Sequence, residues 1–147
     1  MTATNFTRTL TTRLPAEEVF NIILDVRKWW SGFFNESFEG ETRSLNDSFS
    51  FNAGEGAHYS RQQLVELIPV KKIVWLVTES KLSFLEKQDE WTGTRLVFEI
   101  LQEESHINVR FTHEGLTPDV ECYDSCTPAW AQYLQGKLLP LLNPEKV

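Results

Sequence analysis

The stretch Ile107-Asn108-Val109-Arg110-Phe111-Thr112-His113-Glu114-Gly115-Leu116, with the segment after it, decides how this chain folds. Ile107, Val109, Phe111 and His113 alternate with Asn108, Arg110, Thr112 and Glu114, the period of a strand with one buried face. Thr117-Pro118 then opens a helical C-terminus that carries Cys122, Cys126, Trp130, Tyr133 and Leu134. A proline inside a helix costs about 3 kcal/mol, whereas at the first helical position it costs nothing. The spacing therefore predicts a short helical piece before Pro128 and the main helix after it, with Thr127 as N-cap. Trp130, Tyr133, Leu134, Leu138 and Leu141 are expected to form the buried stripe of that helix, with Pro140 and Pro144 fraying its end. A strand that hands over to one aromatic-rich helix implies a curved sheet closed over a pocket.

Upstream, the same two periods alternate. Phe6 to Leu14 reads as a threonine-rich edge strand. Pro15 stops it, and Ala16, Val19, Phe20 and Ile23 then follow helical spacing to about Leu24. Asp25 to Trp30 reads as a second, short helical turn. Strands are expected at Phe33–Gly40, Asp47–Asn52, His58–Leu67, Lys71–Thr78 and Thr94–Gln102. Ala53-Gly54-Glu55-Gly56 serves as a hairpin turn, and Lys81–Trp91 as a charged loop. Strands joined by short turns pair antiparallel, and the helices must cover one face of the sheet, so the fold class is α+β. No repeat or linker interrupts the chain, and residues 1–147 read as one domain.

The bulk numbers bound the function. Of 147 residues, 41% are hydrophobic and 12% aromatic, including five Trp and ten Phe, an excess that serves a core or a pocket equally. A net charge of −7 disfavours nucleic acid and anionic membrane surfaces, which need a basic stripe. The densest apolar run, Ile73–Val77, is too short to span a bilayer, so no membrane insertion is expected. With no visible signal segment and two cysteines, the expectation is a cytoplasmic protein without a disulfide framework.

Five rings drawn from several strands and the long helix, Phe51, Trp75, Phe98, Phe111 and Trp130, are candidate contacts for a small apolar or aromatic ligand. Trp30, Tyr59, His113 and Leu134 complete the candidate set. Plain core packing is the competing reading for each ring. His113 is also the candidate general base, because it shares a strand face with Val109 and Phe111. Tyr59, Arg61 and Gln63 share one face of their strand and are candidate polar groups for the interior, with surface exposure at a strand end as the favoured reading. Cys122 and Cys126 lack further ligands nearby, so neither metal nor cofactor is expected, and the pair reads as small buried thiols. Gly54-Glu55-Gly56 lacks the third glycine of a dinucleotide loop, and no Walker, His-Glu-x-x-His or Gly-x-Ser-x-Gly motif occurs.

Several segments in this order resemble the START-like (SRPBCC) superfamily. They are Pro15-Ala16-Glu17-Glu18-Val19-Phe20, Trp29-Trp30, Lys71-Lys72-Ile73-Val74-Trp75, Phe111-Thr112-His113-Glu114-Gly115-Leu116 and Trp130-Ala131-Gln132-Tyr133-Leu134. Within it they are similar to the branch named for the activator of heat-shock protein 90 ATPase. The resemblance implies a helix-grip fold, a sheet of seven strands around the C-terminal helix with an elongated apolar cavity between them. It does not imply one activity, and the inward aromatic set favours binding of a small apolar or aromatic ligand in that cavity. A polyketide cyclase or dehydratase-like enzyme and a chaperone-linked interaction module are the alternatives. Among partners it implies a small apolar molecule, with a chaperone or homodimer contact as the other possibility.

Overall fold

In the computed structural model, which describes residues 5–143, the Ile107–Glu114 strand lies second from one edge of the sheet. The strands are β1 (Phe6–Thr12), β2 (Ser37–Gly40), β3 (Ser48–Ala53), β4 (His58–Ile68), β5 (Lys72–Leu82), β6 (Arg95–Gln102) and β7 (Ile107–Glu114). They form one antiparallel sheet in the order β1-β7-β6-β5-β4-β3-β2. Two short helices, α1 (Ala16–Leu24) and α2 (Val26–Trp29), follow β1. The C-terminal helix runs through α3 (Tyr123–Tyr133), a π-helical turn (Leu134–Leu138) and α4 (Leu139–Leu142). This is the helix-grip arrangement.

Each strand places alternate residues on the face toward the helices. In β7 the buried set is Ile107, Val109, Phe111 and His113. Phe51 pairs with Ser60 across the β3–β4 hairpin, so Ser60, Gln62 and Leu64 point inward with it. Tyr59, Arg61 and Gln63 occupy the other face, in line with the exposure reading, which removes Tyr59 from the candidate ligand contacts. There the Tyr59 hydroxyl donates to Glu79 at 3.1 Å. β5 runs on to Leu82 rather than ending at Thr78, because β4 keeps pairing with it back to His58.

Two further expectations are corrected. The segment before β2 is a loop as far as Glu36, since the Glu36 carboxylate accepts from the backbone N–H groups of Gly32, Phe33 and Phe34 and folds them around itself. The long helix does not restart at Pro128: it begins five residues earlier, at Tyr123, with Pro128 inside it. Thr127 is no cap, and its hydroxyl donates back to the Tyr123 carbonyl at 2.9 Å. The cap comes from a distant loop. Glu90 accepts from the N–H groups of Glu121 and Cys122, both at 2.8 Å, which ties residues 83–94 to the start of α3.

The π-helical turn shifts the buried stripe. Leu139 N–H bonds to the Leu134 carbonyl, five residues back, just before Pro140, which has no N–H to give. The wider turn makes four residues the repeat, so Trp130, Leu134, Leu138 and Leu142 are buried, while Leu141, expected in their place, is only partly covered. Pro144 lies outside the described residues.

Gly115, which ends β7, adopts φ +104, and a Cβ there would stand 2.5 Å from Thr94 Cγ2. Gly115→Ala meets both a strained backbone and a collision. It is expected to destabilise the fold by about 1–3 kcal/mol, measured as a lower urea midpoint at unchanged slope.

Candidate functional site

Between the C-terminal helix and the β3–β4 end of the sheet lies a cavity of about 220 Å³, open on one side. Trp30, Phe51, Trp91 and Trp130 supply its aromatic walls. Ala53, Gly54 and Ala57 line it from the hairpin, and Ser125, Cys126, Ala129 and Tyr133 from α3. Phe34 and Phe84, both exposed, flank it from the neighbouring loops. Among the lining residues the structure includes one histidine, His58, and no Lys, Arg, Asp or Glu.

The aromatic walls are held by each other. Trp130 stacks on Trp30 and on Trp91, with ring centroids at 5.1 and 5.9 Å, and Trp30 stacks on Phe51 at 4.1 Å. Trp91 sits in the loop expected to be charged and featureless, yet it is buried, and its indole N–H donates to Cys122 Sγ at 3.3 Å. On the rim, the Tyr133 hydroxyl donates to Glu36 at 2.5 Å, joining the helix to the loop that carries Phe34. Burial pulls the Glu36 carboxyl upward. The bonds from Tyr133 and the loop N–H groups outweigh that and hold it below the usual range. Burial, with the neighbouring carboxylate, pushes the Tyr133 phenol up.

The expected site residues divide. Trp30, Phe51 and Trp130 line the cavity. Trp75, Phe98, Phe111 and Leu134 are fully buried in the core beside it and do not reach the opening. Tyr59 is on the opposite face.

His113 is buried behind Trp130, with both ring nitrogens engaged. The Trp130 indole N–H donates to Nδ1 at 3.1 Å, which leaves the proton on Nε2. Nε2–H donates to Thr94 Oγ1 at 2.9 Å, and the Thr94 hydroxyl donates to the Trp91 carbonyl at 2.6 Å. Burial, with His58 nearby, lowers the imidazole pKa to about 3. A neutral ring with no free lone pair has nothing to abstract a proton with, and Tyr59 and Arg61 are across the sheet. The three do not form a catalytic group. His113 is the joint that fixes Trp130 to the sheet.

His58 differs. Its imidazole is perpendicular to both Phe51 and Trp91, with centroids at 5.2 and 4.6 Å. Part of the side chain faces the cavity, but Nε2 is enclosed and has no hydrogen-bond partner. Burial lowers its pKa to about 4, so the ring is neutral near pH 7. An orphaned buried polar atom costs about 1–3 kcal/mol. Strand parity could have identified His58: it pairs with Ala53, two residues from the inward Phe51. Gln62 Oε1 and Trp75 Nε1 are likewise buried without partners, an acceptor and a donor on adjacent strands.

The cysteines also depart from expectation. Cys122 and Cys126 are joined as a disulfide, not free thiols. One helical turn brings their Cα atoms to 5.6 Å, well within bridging range. Among the described residues no cluster of His, Cys, Asp or Glu could hold a metal ion, and no helix is long and apolar enough to cross a membrane.

Solved structures share this architecture. The Mll3558 protein from Rhizobium loti superposes with a TM-score of 0.73 at 16% identity, covering 96% of this chain and 98% of that one. The Aha1 dimer from Colwellia psychrerythraea gives 0.72 at 20% identity, covering 98% and 99%. DynU16, a protein in the dynemicin biosynthetic locus, gives 0.61 at 12% identity, over 92% of this chain and 46% of that one. No protein of curated function matches the chain in sequence. The family model described as Activator of Hsp90 ATPase homolog 1-like protein matches residues 13–142, and the chain belongs to that family.

Proposed function

We propose that this chain binds a small, largely apolar molecule in the cavity between the sheet and the C-terminal helix. The observation that carries the reading is the cavity itself. Protein interiors are close-packed, with few voids larger than a water molecule. Here Trp75, Phe98 and Phe111 follow that rule, whereas Trp30, Trp91 and Trp130 turn faces or edges to an opening of about 220 Å³. Drug-sized sites begin at about 300 Å³, so the fitting ligand is small, on the scale of one or two rings. Trp30, Phe51 and Trp130 are its proposed contacts from the rings expected on sequence, joined by Trp91, Tyr133 and His58.

Naphthalene is a suitable probe, since it brings aromatic area and no polar group. It is expected to bind the full chain, measured by equilibrium dialysis, and to be excluded when Ala129→Trp fills the cavity from the helix. The loss expected is at least about tenfold in affinity, or about 1.4 kcal/mol. Equal binding to both proteins would move the ligand elsewhere and remove the reading.

A further inference from the structure

The geometry points to a specific class of occupant: a neutral, flat molecule bearing one hydrogen-bonding group, phenol-like, with His58 as the residue that reads that group. This rests on the cavity being a binding site and names what the site selects.

Three observations converge. First, no charged side chain lines the cavity. Glu36, the carboxylate bonded to the lining Tyr133, is occupied by that hydroxyl and three backbone N–H groups. A charged ligand would enter without a counter-charge and lose its hydration, a heavy cost. Second, the Trp91, Trp130 and Tyr133 donors along the walls are committed, and Ser125, whose hydroxyl is uncommitted, is exposed to solvent. Trp91 donates to Cys122, Trp130 to His113 and Tyr133 to Glu36. Third, His58 Nε2 is enclosed without a partner, in a structure class where buried polar atoms are nearly always paired. The ring is fixed edgewise between Phe51 and Trp91, so a flat molecule sliding along those walls meets its edge rather than its face. A neutral imidazole offers one donor and one acceptor, and a hydroxyl can satisfy either. Contact with Nε2 requires the imidazole to turn about its χ2 bond, a motion that is part of the proposal and that the His58 nitrogen shifts would register.

Equilibrium dialysis of naphthalene, 2-naphthol and 2-naphthoate against the full chain tests this. 2-Naphthol is expected to bind about tenfold more tightly than naphthalene, the contribution of one satisfied hydrogen bond, and 2-naphthoate more weakly than either. In His58→Phe, the advantage of 2-naphthol over naphthalene should vanish, the two binding alike. Should that variant fail to fold, the unmodified chain still answers. The imidazole nitrogen NMR shifts of His58 are expected to move with 2-naphthol and not with naphthalene. Naphthalene binding with no advantage to 2-naphthol, or an advantage that survives His58→Phe, overturns the role of His58 and leaves the cavity as a site. Tightest binding by 2-naphthoate overturns the neutral class. If none of the three binds, the site itself fails and the inference with it.

Discussion

Trp130→Ala is expected to cost about 3–5 kcal/mol of stability. Its indole is buried and stacks on Trp30 and Trp91, and it packs on Phe111 at 4.6 Å. Truncation empties that space and also removes the donor to His113 Nδ1, leaving a buried acceptor with no partner. Domains of this size hold about 5–15 kcal/mol in total, so the variant should unfold at a much lower urea concentration. Trp130→Phe separates the two contributions. It keeps most of the ring packing and drops the N–H, so about 1–3 kcal/mol should be lost. If Trp130→Ala shifts stability by less than about 1 kcal/mol, the indole is not the joint between helix and sheet.

The second large effect is a fall in stability under mild acid. Unfolded histidine binds a proton with a pKa near 6.5. In the fold, burial lowers the pKa of His113 to about 3 and of His58 to about 4, with His58 also depressing His113. Above about pH 6.5 both states are neutral and the groups give no pH slope. Below it the unfolded chain takes up protons that the folded chain refuses. Each buried imidazole then costs about 1.4 kcal/mol per pH unit until its folded pKa is reached. Together they remove on the order of 5 kcal/mol between about pH 6.5 and about pH 4. Glu36 acts in the same direction at lower pH. Its lowered carboxyl stabilises the fold above its ordinary pKa, and that contribution disappears as the group is protonated. Urea titrations at a series of pH values should give a flat midpoint at neutral pH and a steep fall below it, with roughly half the slope in His58→Phe. A midpoint unchanged down to about pH 5 would mean that water reaches both rings in the fold.

The regular parts of the molecule were legible because each rests on a local period. β7 and β3 carry clean alternation, α1 carries helical spacing, and the order of elements leaves few ways to cover one face of a sheet. What escaped depends on distant partners. The helix starts ahead of Pro128, where Glu90 caps α3 upstream, and no local signal announces a cap from a loop some thirty residues earlier. The buried stripe slipped from Leu141 to Leu142 because a π-helical turn adds a residue that a 3.6-residue period does not foresee. The site was only half readable for the same reason. Trp30, Phe51 and Trp130 stood out as large inward rings, but Trp91 and Phe84 come from an aperiodic loop. His58 shares strand parity with the inward Leu64, a signal masked because the larger ring, Tyr59, has the other parity. His113 looked like a reactive group at a strand end. Its two partners, Thr94 and Trp130, lie on other elements and convert it into a structural one.

The two edges of sequence meet at β1. Its residues pair with β7, about a hundred positions away, and the Thr12 hydroxyl bonds to the Leu142 carbonyl while the Thr11 carbonyl accepts from Asn143. During synthesis β1 therefore emerges first and waits longest. Until β7 and the end of the helix have left the ribosome, this threonine-rich strand has no native partner in the sheet. Such long-range closure slows folding and lengthens the time spent in a sticky, incomplete state. The alternating threonines at positions 7, 9 and 11 keep one side of that waiting strand polar, and two of them later bond to β7, Thr7 to the Phe111 carbonyl and Thr11 to Asn108.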